Sequence, residues 1–368
     1  MTIFVPNSEE DISEIIKNAS QSLTVLGGGT RGFVEPCDNV LKTNGLSGII
    51  DYQPGALTMI AKAGTPLDEI NSQLAKQGQK LPFEPADYRA MLGLGDRSTI
   101  GGVFAANISG PRRIQVGAAR DFLLGVRFVD GRGEILKSGG SVMKNVTGYD
   151  LVKLMAGSHG TLGVMTQLAF KVLPVSETEA TLVLRTVDDH NAIQILTTAM
   201  NSPFDVSGAA HIPSKGETHL RLEGFKKSVR YRTEKLVEYL KTSGAVQILE
   251  DQDSKTLWSD IRDVKSFANE TLDIWRLSVK PTSAADIVSA VGFEKYQYDW
   301  SGGLIWGAIA ANKNPRPALS EFGGHATCVK GSSSIPKFQP QTASVARLSN
   351  EIRKKFDPRG ILNTGLMA

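Results

Sequence analysis

Cysteine is scarce in this chain, which has two, Cys37 and Cys328, among 368 residues. Thiols so far apart in sequence form no zinc-ligand pattern, and two are too few for an iron–sulfur cluster held by four thiolates. The scarcity fits a reducing compartment and favours a cytoplasmic location. The sequence has neither a run of about 20 apolar residues nor a basic, apolar leader, so we expect no membrane span and no secretion signal.

An excess of one charge is also missing. The formal net charge is +3, and the 41 Lys and Arg residues are scattered without a basic run. This argues against nucleic acid and against an anionic membrane surface as partners. The apolar fraction of 41% and the charged fraction of 21% are typical of a globular protein, and the length predicts two or three domains.

Glycine, in contrast, is abundant, with 37 residues. The densest stretch follows a short apolar run, residues 23–26, that we interpret as a buried strand. Successive backbone N–H groups in such a loop form a concave nest that holds phosphate oxygens, and glycine permits close approach of the backbone. The sequence therefore predicts a pyrophosphate cradle after this strand, with a tight surface turn as the alternative. The cradle consists of Gly27, Gly28, Gly29, Thr30, Arg31 and Gly32.

The spacing of Gly27, Gly29 and Gly32 also matches G-x-G-x-x-G, the fingerprint of nicotinamide-dinucleotide sites. That fingerprint requires a helix directly after it. Pro36 would break such a helix within its first turns, and no helical apolar period runs from residue 32 to residue 45. We therefore reject a Rossmann nicotinamide site.

Two further stretches, residues 99–110 and 157–166, are also rich in glycine and small residues. Such stretches let a backbone lie flat against a planar ligand, and close packing of helices is the alternative. Three glycine-rich loops within the first 166 residues suit a large planar ligand that carries a diphosphate and is bound mainly by backbone.

The pattern changes after Pro174, where we place a domain boundary. Between residues 181 and 249, strands and helices are predicted in the order βαββαβ, which defines a ferredoxin-like unit. A partial copy is predicted between residues 272 and 310. A further helix is predicted over about residues 343–356, close to the end of the chain.

Several short motifs can be compared with known families. They are Gly-Gly-Gly-Thr at 27–30, Gly-Thr-Pro-Leu at 64–67, Pro-Phe-Glu-Pro at 82–85, Thr-Ile-Gly-Gly at 99–102, the loop at 157–166 and Phe-Asp-Pro-Arg-Gly-Ile-Leu-Asn at 356–363. As a set they resemble the FAD-binding oxidoreductases of the vanillyl-alcohol-oxidase and p-cresol-methylhydroxylase (PCMH) type. Within that family, the chain most resembles the FAD-binding E subunits of bacterial glycolate oxidases. That likeness rests on residues 110–113, 120–125, 143–151, 275–278 and 323–327 and extends over essentially the full length.

The resemblance implies an α+β fold: a two-domain PCMH-type FAD-binding fold with a smaller ferredoxin-like α+β cap domain. The FAD-binding domain would span residues 1–175 and the cap 176–335, and a tail of residues 336–368 would return to the FAD-binding domain. Some relatives hold FAD covalently through a histidine in or near the first loop. The first histidine here is His159, so we expect non-covalent FAD. The implied FAD-binding residues are Gly27, Gly28, Gly29, Thr30, Arg31, Gly32, Pro85, Thr99, Gly101, Gly102, Gly110, Gly157, Gly163, Val164 and Asn363.

Oxidation of a 2-hydroxy acid needs a base for the hydroxyl proton and a cation for the carboxylate. Of the five histidines, His159 and His325 lie in glycine-rich surroundings. We predict His325, Arg113 and Arg112 as catalytic residues. His325 could instead fix the return of the tail, and the arginines could compensate a reduced flavin or contact another subunit. We interpret the other three histidines as solvated or structural, and most of the four tryptophans as packing residues.

The family's catalytic 2-hydroxy-acid dehydrogenases carry a cluster of histidines and acids that binds a metal beside the flavin. His325 is the only histidine after His219, so this chain lacks a His-x-x-x-His-x-His-like run, and we expect no metal site. The resemblance therefore implies two partners, a catalytic flavoprotein D subunit and an iron–sulfur subunit. It implies a small 2-hydroxy acid such as glycolate as the substrate.

The expected function is that of the FAD-binding subunit of a glycolate oxidase complex, which oxidises glycolate to glyoxylate and passes electrons to a partner subunit. We expect the complex in the cytoplasm, and we leave open its association with the inner face of the cytoplasmic membrane. One alternative is a stand-alone FAD-dependent dehydrogenase for another 2-hydroxy acid or alcohol. A second alternative is a non-catalytic assembly subunit.

Overall fold

The structure is a computed structural model that describes residues 2–32, 38–140, 149–186, 188–331 and 335–367. Pro36, Cys37 and most of the motif at residues 143–151 lie outside these ranges. Within them, no helix is both long enough and apolar enough to cross a membrane.

Strands and helices follow one another along the whole chain. The strands are β1 (Thr2–Phe4), β2 (Thr24–Leu26), β3 (Asn39–Lys42), β4 (Ile49–Gln53), β5 (Thr58–Lys62), β6 (Gln79–Lys80), β7 (Leu123–Val129), β8 (Ile135–Gly139), β9 (Val164–Lys171), β10 (Leu173–Pro174), β11 (Thr178–Arg185), β12 (Gly208–Ile212), β13 (Glu217–Gly224), β14 (Val246–Glu250), β15 (Asp273–Ser278), β16 (Lys295–Asp299), β17 (Leu304–Ile309) and β18 (His325–Lys330). The helices are α1 (Glu9–Asn18), α2 (Leu67–Ala75), α3 (Arg89–Leu92), α4 (Ile100–Ala105), α5 (Arg113–Val116), α6 (Ala119–Phe122), α7 (Leu151–Met155), α8 (Asp189–Met200), α9 (Lys226–Tyr239), α10 (Asp251–Arg262), α11 (Ala284–Val291) and α12 (Ala343–Phe356).

The chain divides into two compact units. Unit 1 consists of residues 1–109, 118–175 and 340–368, and unit 2 of residues 110–117 and 176–339. The short segment 110–117 thus belongs to unit 2, although it lies within the first predicted domain in sequence. The predicted boundaries at 175 and 335 stay a prediction.

Unit 1 contains a parallel sheet and an antiparallel sheet. The parallel sheet has the strand order β1-β3-β2, and the antiparallel sheet has the order β4-β5-β9-β7-β8. The central strand of the second sheet, β9, is buried over most of its length. One of its side chains, Phe170, packs against Phe104 of α4 with ring centroids 5.6 Å apart. This contact fixes α4 on the sheet, close to the loop that follows β2.

Helix α1 begins with a capping box, in which the Ser8 hydroxyl accepts the Asp11 N–H and the Asp11 carboxylate accepts the Ser8 N–H. Ile12 and Ile16, four residues apart, lie on its buried face. They belong to a core cluster that also contains Leu362 of the C-terminal segment. The amphipathic pattern of the sequence therefore places α1 and the end of the chain in one core.

Unit 2 is built on one antiparallel sheet with the order β14-β11-β13-β12-β16-β17-β15-β18. Its first half, β11-α8-β12-β13-α9-β14, has the 4-1-3-2 strand order of the ferredoxin-like unit. The second half of the sheet joins the first where β16 pairs with β12, through a single residue pair, His211 and Tyr298. One face of the sheet forms a large apolar core with α8, α9 and α11. The α+β class and the ferredoxin-like unit predicted from the sequence are confirmed.

Helix α10 and strand β18 are absent from the sequence prediction. Trp258 of α10 packs with Ala210 and Ile212 of β12, in a cluster separate from the large core. Its indole N–H also donates to the Thr181 hydroxyl, 2.8 Å away. Much of the contact between α10 and the sheet is polar, which is why the apolar pattern in the sequence did not predict it.

Candidate functional site

A cleft in unit 1 opens next to the glycine loop that follows β2. It holds about 760 Å³ of free space and is lined by β2, the loop, α4 and the start of β9. The lining residues are Val25, Leu26, Gly27, Gly28, Gly29, Thr30, Arg31, Gly32, Thr43, Ala63, Thr99, Gly101, Gly102, Ala105, Ala106, His159, Gly160, Gly163 and Met165.

The loop requires glycine at two positions for different reasons. A Cβ at Gly28 would overlap the backbone carbonyl of Arg97, so no side chain fits there. Gly29 adopts φ +68°, a left-handed conformation that disfavours residues with a Cβ, and its surroundings are open. The loop therefore combines close backbone packing on one side with an open face on the other, as a phosphate nest requires.

The start of α4 lies against the same loop. The Thr99 hydroxyl accepts the N–H of Gly102 at 3.3 Å and caps the helix. A Cβ at Gly101 would lie 2.7 Å from both the Cβ and the carbonyl oxygen of Ala63. The small residues that the sequence places here thus serve helix-to-strand packing as well as lining the cleft.

Arg31 fixes the loop to the segment between Ala86 and Ser98. Its Nη1 donates to the Ala86 carbonyl at 2.5 Å, and its Nη2 donates to the Ser98 hydroxyl at 2.6 Å. The guanidinium also lies 5.4 Å from the centroid of the Tyr88 ring. The side chain is buried, so its charge acts mainly on the protein scaffold.

Asn363 connects the end of the chain to the cleft. Its Oδ1 accepts the N–H of Val25 at 2.7 Å, and its Nδ2 donates to the carbonyl of His159 at 2.7 Å. Both Asn363 and His159 adopt left-handed backbone conformations, with φ +45° and +51°. Strained non-glycine backbone of this kind is often retained at functional sites.

The predicted FAD-binding residues divide into two groups. Gly27, Gly28, Gly29, Thr30, Arg31, Gly32, Thr99, Gly101, Gly102 and Gly163 line the cleft. The remaining five lie elsewhere: Gly110 belongs to unit 2, and Pro85, Gly157, Val164 and Asn363 are outside the lining.

Sequence reasoning missed several lining residues, among them Thr43, Ala63, Ala105, Ala106 and Met165. Ala105, Ala106 and Met165 lie within the glycine-rich stretches 99–110 and 157–166 but were not singled out as binding residues. Thr43 and Ala63 follow strands β3 and β5 and belong to no predicted binding motif. His159 was noted for its glycine-rich loop, but its place in this cleft could not be derived from spacing.

The cleft fits a dinucleotide. The glycine loop offers backbone N–H groups to a diphosphate, and the small residues of α4 leave room for flat groups. Unit 1 therefore defines the chain as a dinucleotide-binding protein.

A second candidate site lies in unit 2, where the side chains of two arginines stack on the Trp300 ring. The guanidinium carbons of Arg113 and Arg276 lie 4.6 and 5.0 Å from the centroid of the indole. The indole N–H of Trp300 donates to the Gly110 carbonyl at 3.0 Å, which fixes the ring relative to the segment that carries Arg113. Stacking on an aromatic face orients a guanidinium, and a guanidinium fork is suited to a carboxylate.

The backbone at Trp300 is held in an unusual conformation. Trp300, Ser301 and Gly302 have φ values of +50°, +58° and +92° in succession. At the start of this turn, the Asp299 carboxylate accepts the backbone N–H of Trp300 at 2.7 Å. A left-handed turn at a buried tryptophan costs free energy, which the contacts with Gly110 and Asp299 offset.

His325 lies on the same sheet face as Arg276. In the β15–β18 ladder, Ser278 pairs with His325 and Arg276 pairs with Thr327. Because residues two apart on a strand point to one face, Arg276 and His325 project together. Burial, together with the positive charges of Arg276 and Arg113, lowers the pKa of His325 from its ordinary 6.5. This shift favours the neutral imidazole, the form that can accept a proton.

Arg112, the third predicted catalytic residue, contacts a buried carboxylate, and its catalytic role stays a prediction. The side chain is buried, and its Nε lies 3.3 Å from the Glu223 carboxylate. The same carboxylate lies 3.3 Å from Nε of Arg221, whose guanidinium lies 4.7 Å from the Trp258 ring centroid. Arg112 belongs to a buried ion-pair network.

The other histidines of unit 2 lie outside the cluster. His211 and His219 are buried in the sheet, and His190 lies on the surface, 3.5 Å from Asp286. Burial lowers the pKa of His219 to about 3. Within the described residues, no group of three or more histidine, cysteine or acidic side chains could hold a metal ion.

Comparison with known proteins identifies the family. A family model described as an FAD binding domain matches residues 2–139. Glycolate oxidase subunit GlcE of Escherichia coli (strain K12) is 34% identical over 322 residues, 87% of this chain and 84% of that protein. Glycolate oxidase subunit GlcD of Bacillus subtilis (strain 168) is 30% identical over 188 residues, 49% of this chain and 38% of that protein.

Two further comparisons are consistent with an FAD-binding oxidoreductase fold. D-2-hydroxyglutarate dehydrogenase of Xanthomonas citri pv. viticola is 29% identical over 252 residues, 67% of this chain and 48% of that protein. A solved structure of alkyldihydroxyacetonephosphate synthase has a TM-score of 0.72 at 18% identity, covering 99% of this chain and 76% of that one, which shows a shared fold. The chain belongs to the PCMH-type FAD-binding oxidoreductases, as the sequence motifs predicted, and FAD is its cofactor.

Proposed function

We propose that this chain is the FAD-binding subunit of a multi-subunit glycolate oxidase, and that unit 2 binds the 2-hydroxy acid. The observation that carries this proposal is the pair Arg113 and Arg276 stacked on Trp300, with His325 on the same sheet face as Arg276. The similarity to glycolate oxidase subunits GlcE and GlcD supports glycolate as the substrate.

In this proposal the cleft of unit 1 holds FAD without a covalent bond. The loop from Gly27 to Gly32 would take the diphosphate, and Thr99 and Gly102 would support it from the start of α4. The loop contains no histidine, which supports non-covalent binding. Bound there, FAD supplies the acceptor for the two electrons removed from the substrate.

The residues of unit 2 would bind the acid and receive its proton. A guanidinium pairs with a carboxylate through two parallel hydrogen bonds, and Arg113 and Arg276 are both held on the indole for this purpose. Neutral His325 would take the proton of the substrate hydroxyl at its ring nitrogen. The same two arginines oppose protonation of His325 until the carboxylate compensates part of their charge.

The proposal includes two partner subunits, a catalytic flavoprotein D subunit and an iron–sulfur subunit that accepts the electrons. The similarity to GlcD supports the first of these. Anaerobic addition of glycolate tests the acid site, because the proposal predicts that the flavin of the isolated chain bleaches, whereas a flavin that stays oxidised favours the non-catalytic assembly subunit. Loss of turnover on removal of the partner subunits would distinguish the complex from a stand-alone dehydrogenase.

Arg276→Gln and Arg113→Gln test the acid site. We expect each to weaken glycolate binding at least tenfold, because a hydrogen bond to a charged group contributes about 1.5–3 kcal/mol. Binding is measured by calorimetry with the FAD-free chain, which cannot oxidise glycolate, and the FAD content of the reconstituted variants should not change. Arg230→Gln is the control, since Arg230 is 84% exposed and pairs with Glu234 on α9. Glycolate affinity equal to that of the unmodified chain in both variants would contradict the assignment.

A further inference from the structure

His159 lies in the cleft of unit 1 rather than with the histidines of unit 2. The residue lines the same space as the loop from Gly27 to Gly32. Its backbone N–H donates to the Ala105 carbonyl at 2.9 Å, and its backbone carbonyl accepts Nδ2 of Asn363 at 2.7 Å. The residue is thus held on both sides in a left-handed conformation, φ +51°. These contacts fix the direction in which the imidazole projects.

Few charges face this imidazole. β2 contributes Val25 and Leu26 to the cleft, and α4 contributes Ala105 and Ala106, all uncharged. Among the described lining residues, the ionisable ones are Arg31 and His159. Arg31 keeps its charge throughout the physiological range and is engaged with Ala86, Ser98 and Tyr88. His159 is therefore the described lining residue whose charge can change near neutral pH.

FAD brings a strong negative charge to this cleft. Its diphosphate carries two negative charges at neutral pH, whereas the rest of the molecule is uncharged there. A nearby negative charge favours the protonated form of an imidazole. We propose that His159 is a ligand of the FAD diphosphate that takes up a proton from solvent when FAD binds. This inference rests on the assignment of FAD to the cleft.

The direction of the pH effect follows from the two states of His159. In the FAD-free chain, burial lowers the pKa of His159 from 6.5 to about 4, so the imidazole is neutral at pH 7. The diphosphate opposes this effect and raises the pKa. Because the bound state then holds more protons than the free state, FAD affinity increases as the pH falls. A return of the pKa to 6.5 would make the Kd about tenfold lower at about pH 5.5 than at about pH 8.

The test compares the FAD affinity of three full-length proteins: the unmodified chain, His159→Asn and His190→Asn. Asparagine tolerates the left-handed backbone at position 159 but does not titrate. His190 is exposed and serves as the matched control. The Kd is measured by quenching of flavin fluorescence between about pH 5.5 and about pH 8, where no group of FAD itself titrates. Proton uptake is measured by calorimetry in buffers of different ionisation enthalpy.

We expect the Kd of the unmodified chain and of His190→Asn to fall about tenfold towards the lower pH, with proton uptake on binding. His159→Asn should bind FAD with one affinity at every pH and with no uptake. If this variant does not fold, His159→Gln takes its place, and proton uptake by the unmodified chain is decisive by itself.

Two results would overturn the inference alone: pH-independent binding by the unmodified chain, or a pH dependence that survives in His159→Asn. A folded chain that binds no FAD at any pH would instead overturn the assignment of FAD to the cleft. The two failures are therefore distinguishable.

Discussion

At the scale of single residues, two neighbouring arginines have different surroundings. Arg113 lies over the Trp300 ring, whereas Arg112 is buried beside Glu223. Adjacent residues at the start of a helical turn project about 100° apart, so a Gly-Pro-Arg-Arg motif can direct one arginine to a ligand and the other into the core. The Arg-Arg pair in the sequence carried no signal that could assign the two directions.

Arg112→Ala should lower the stability of the chain more than it affects substrate binding. Removal of one partner of a buried ion pair leaves a carboxylate poorly compensated, although Arg221 still lies 3.3 Å from Glu223. We expect a loss of about 1–3 kcal/mol in the free energy of unfolding, below the full effect for an isolated pair. Urea denaturation measures the loss, and glycolate affinity of the folded variant checks the site. A variant that is as stable as the unmodified chain but binds glycolate poorly would show that Arg112 takes part in substrate binding.

At the scale of elements, the C-terminal motif at residues 356–363 explains how the end of the chain docks in unit 1. Arg359 donates to the carbonyls of Ile16 and Ala19 at the end of α1, at 2.5 and 3.1 Å. The Leu362 N–H donates to the Asp357 carboxylate at 2.8 Å, which closes the turn. The motif thus caps one helix and brings Asn363 to β2, where it also holds His159.

Arg359→Ala should loosen this docking. The last carbonyls of a helix lack partners within the helix, and Arg359 supplies donors for them. Because the side chain is largely exposed, we expect a modest loss of about 1–2 kcal/mol in the free energy of unfolding. Thermal or urea denaturation measures it. Arg347→Ala on α12 is the control, since Arg347 is 76% exposed and pairs only weakly with Glu351, 3.9 Å away. Equal stability of the two variants would show that the cap contributes nothing.

At the scale of the whole molecule, the ferredoxin-like unit and the glycine loop were predicted from local sequence pattern, whereas the α+β class was implied by the resemblance to the PCMH-type family. The succession of strands and helices, βαββαβ, and the glycine loop at residues 27–32 can both be recognised from neighbouring residues in the sequence. The junction of β12 with β16 rests on one residue pair, His211 and Tyr298, and no local pattern predicts it. The same holds for Arg276 and Trp300, which come together with Arg113 only through the fold of unit 2.

The measurement that tests the central claim most directly is the FAD content of purified full-length Gly28→Ala, with Gly55→Ala as the control. A Cβ at position 28 would overlap the Arg97 carbonyl and deform the loop, whereas a Cβ at position 55 meets open space. Equilibrium binding of FAD should give one flavin per chain for the control and for the unmodified chain. Gly28→Ala, with folding checked by circular dichroism, should bind at least about a hundredfold more weakly, because displacement of the nest removes several hydrogen bonds to the diphosphate. Full FAD occupancy in a folded Gly28→Ala variant would contradict the assignment of the cleft.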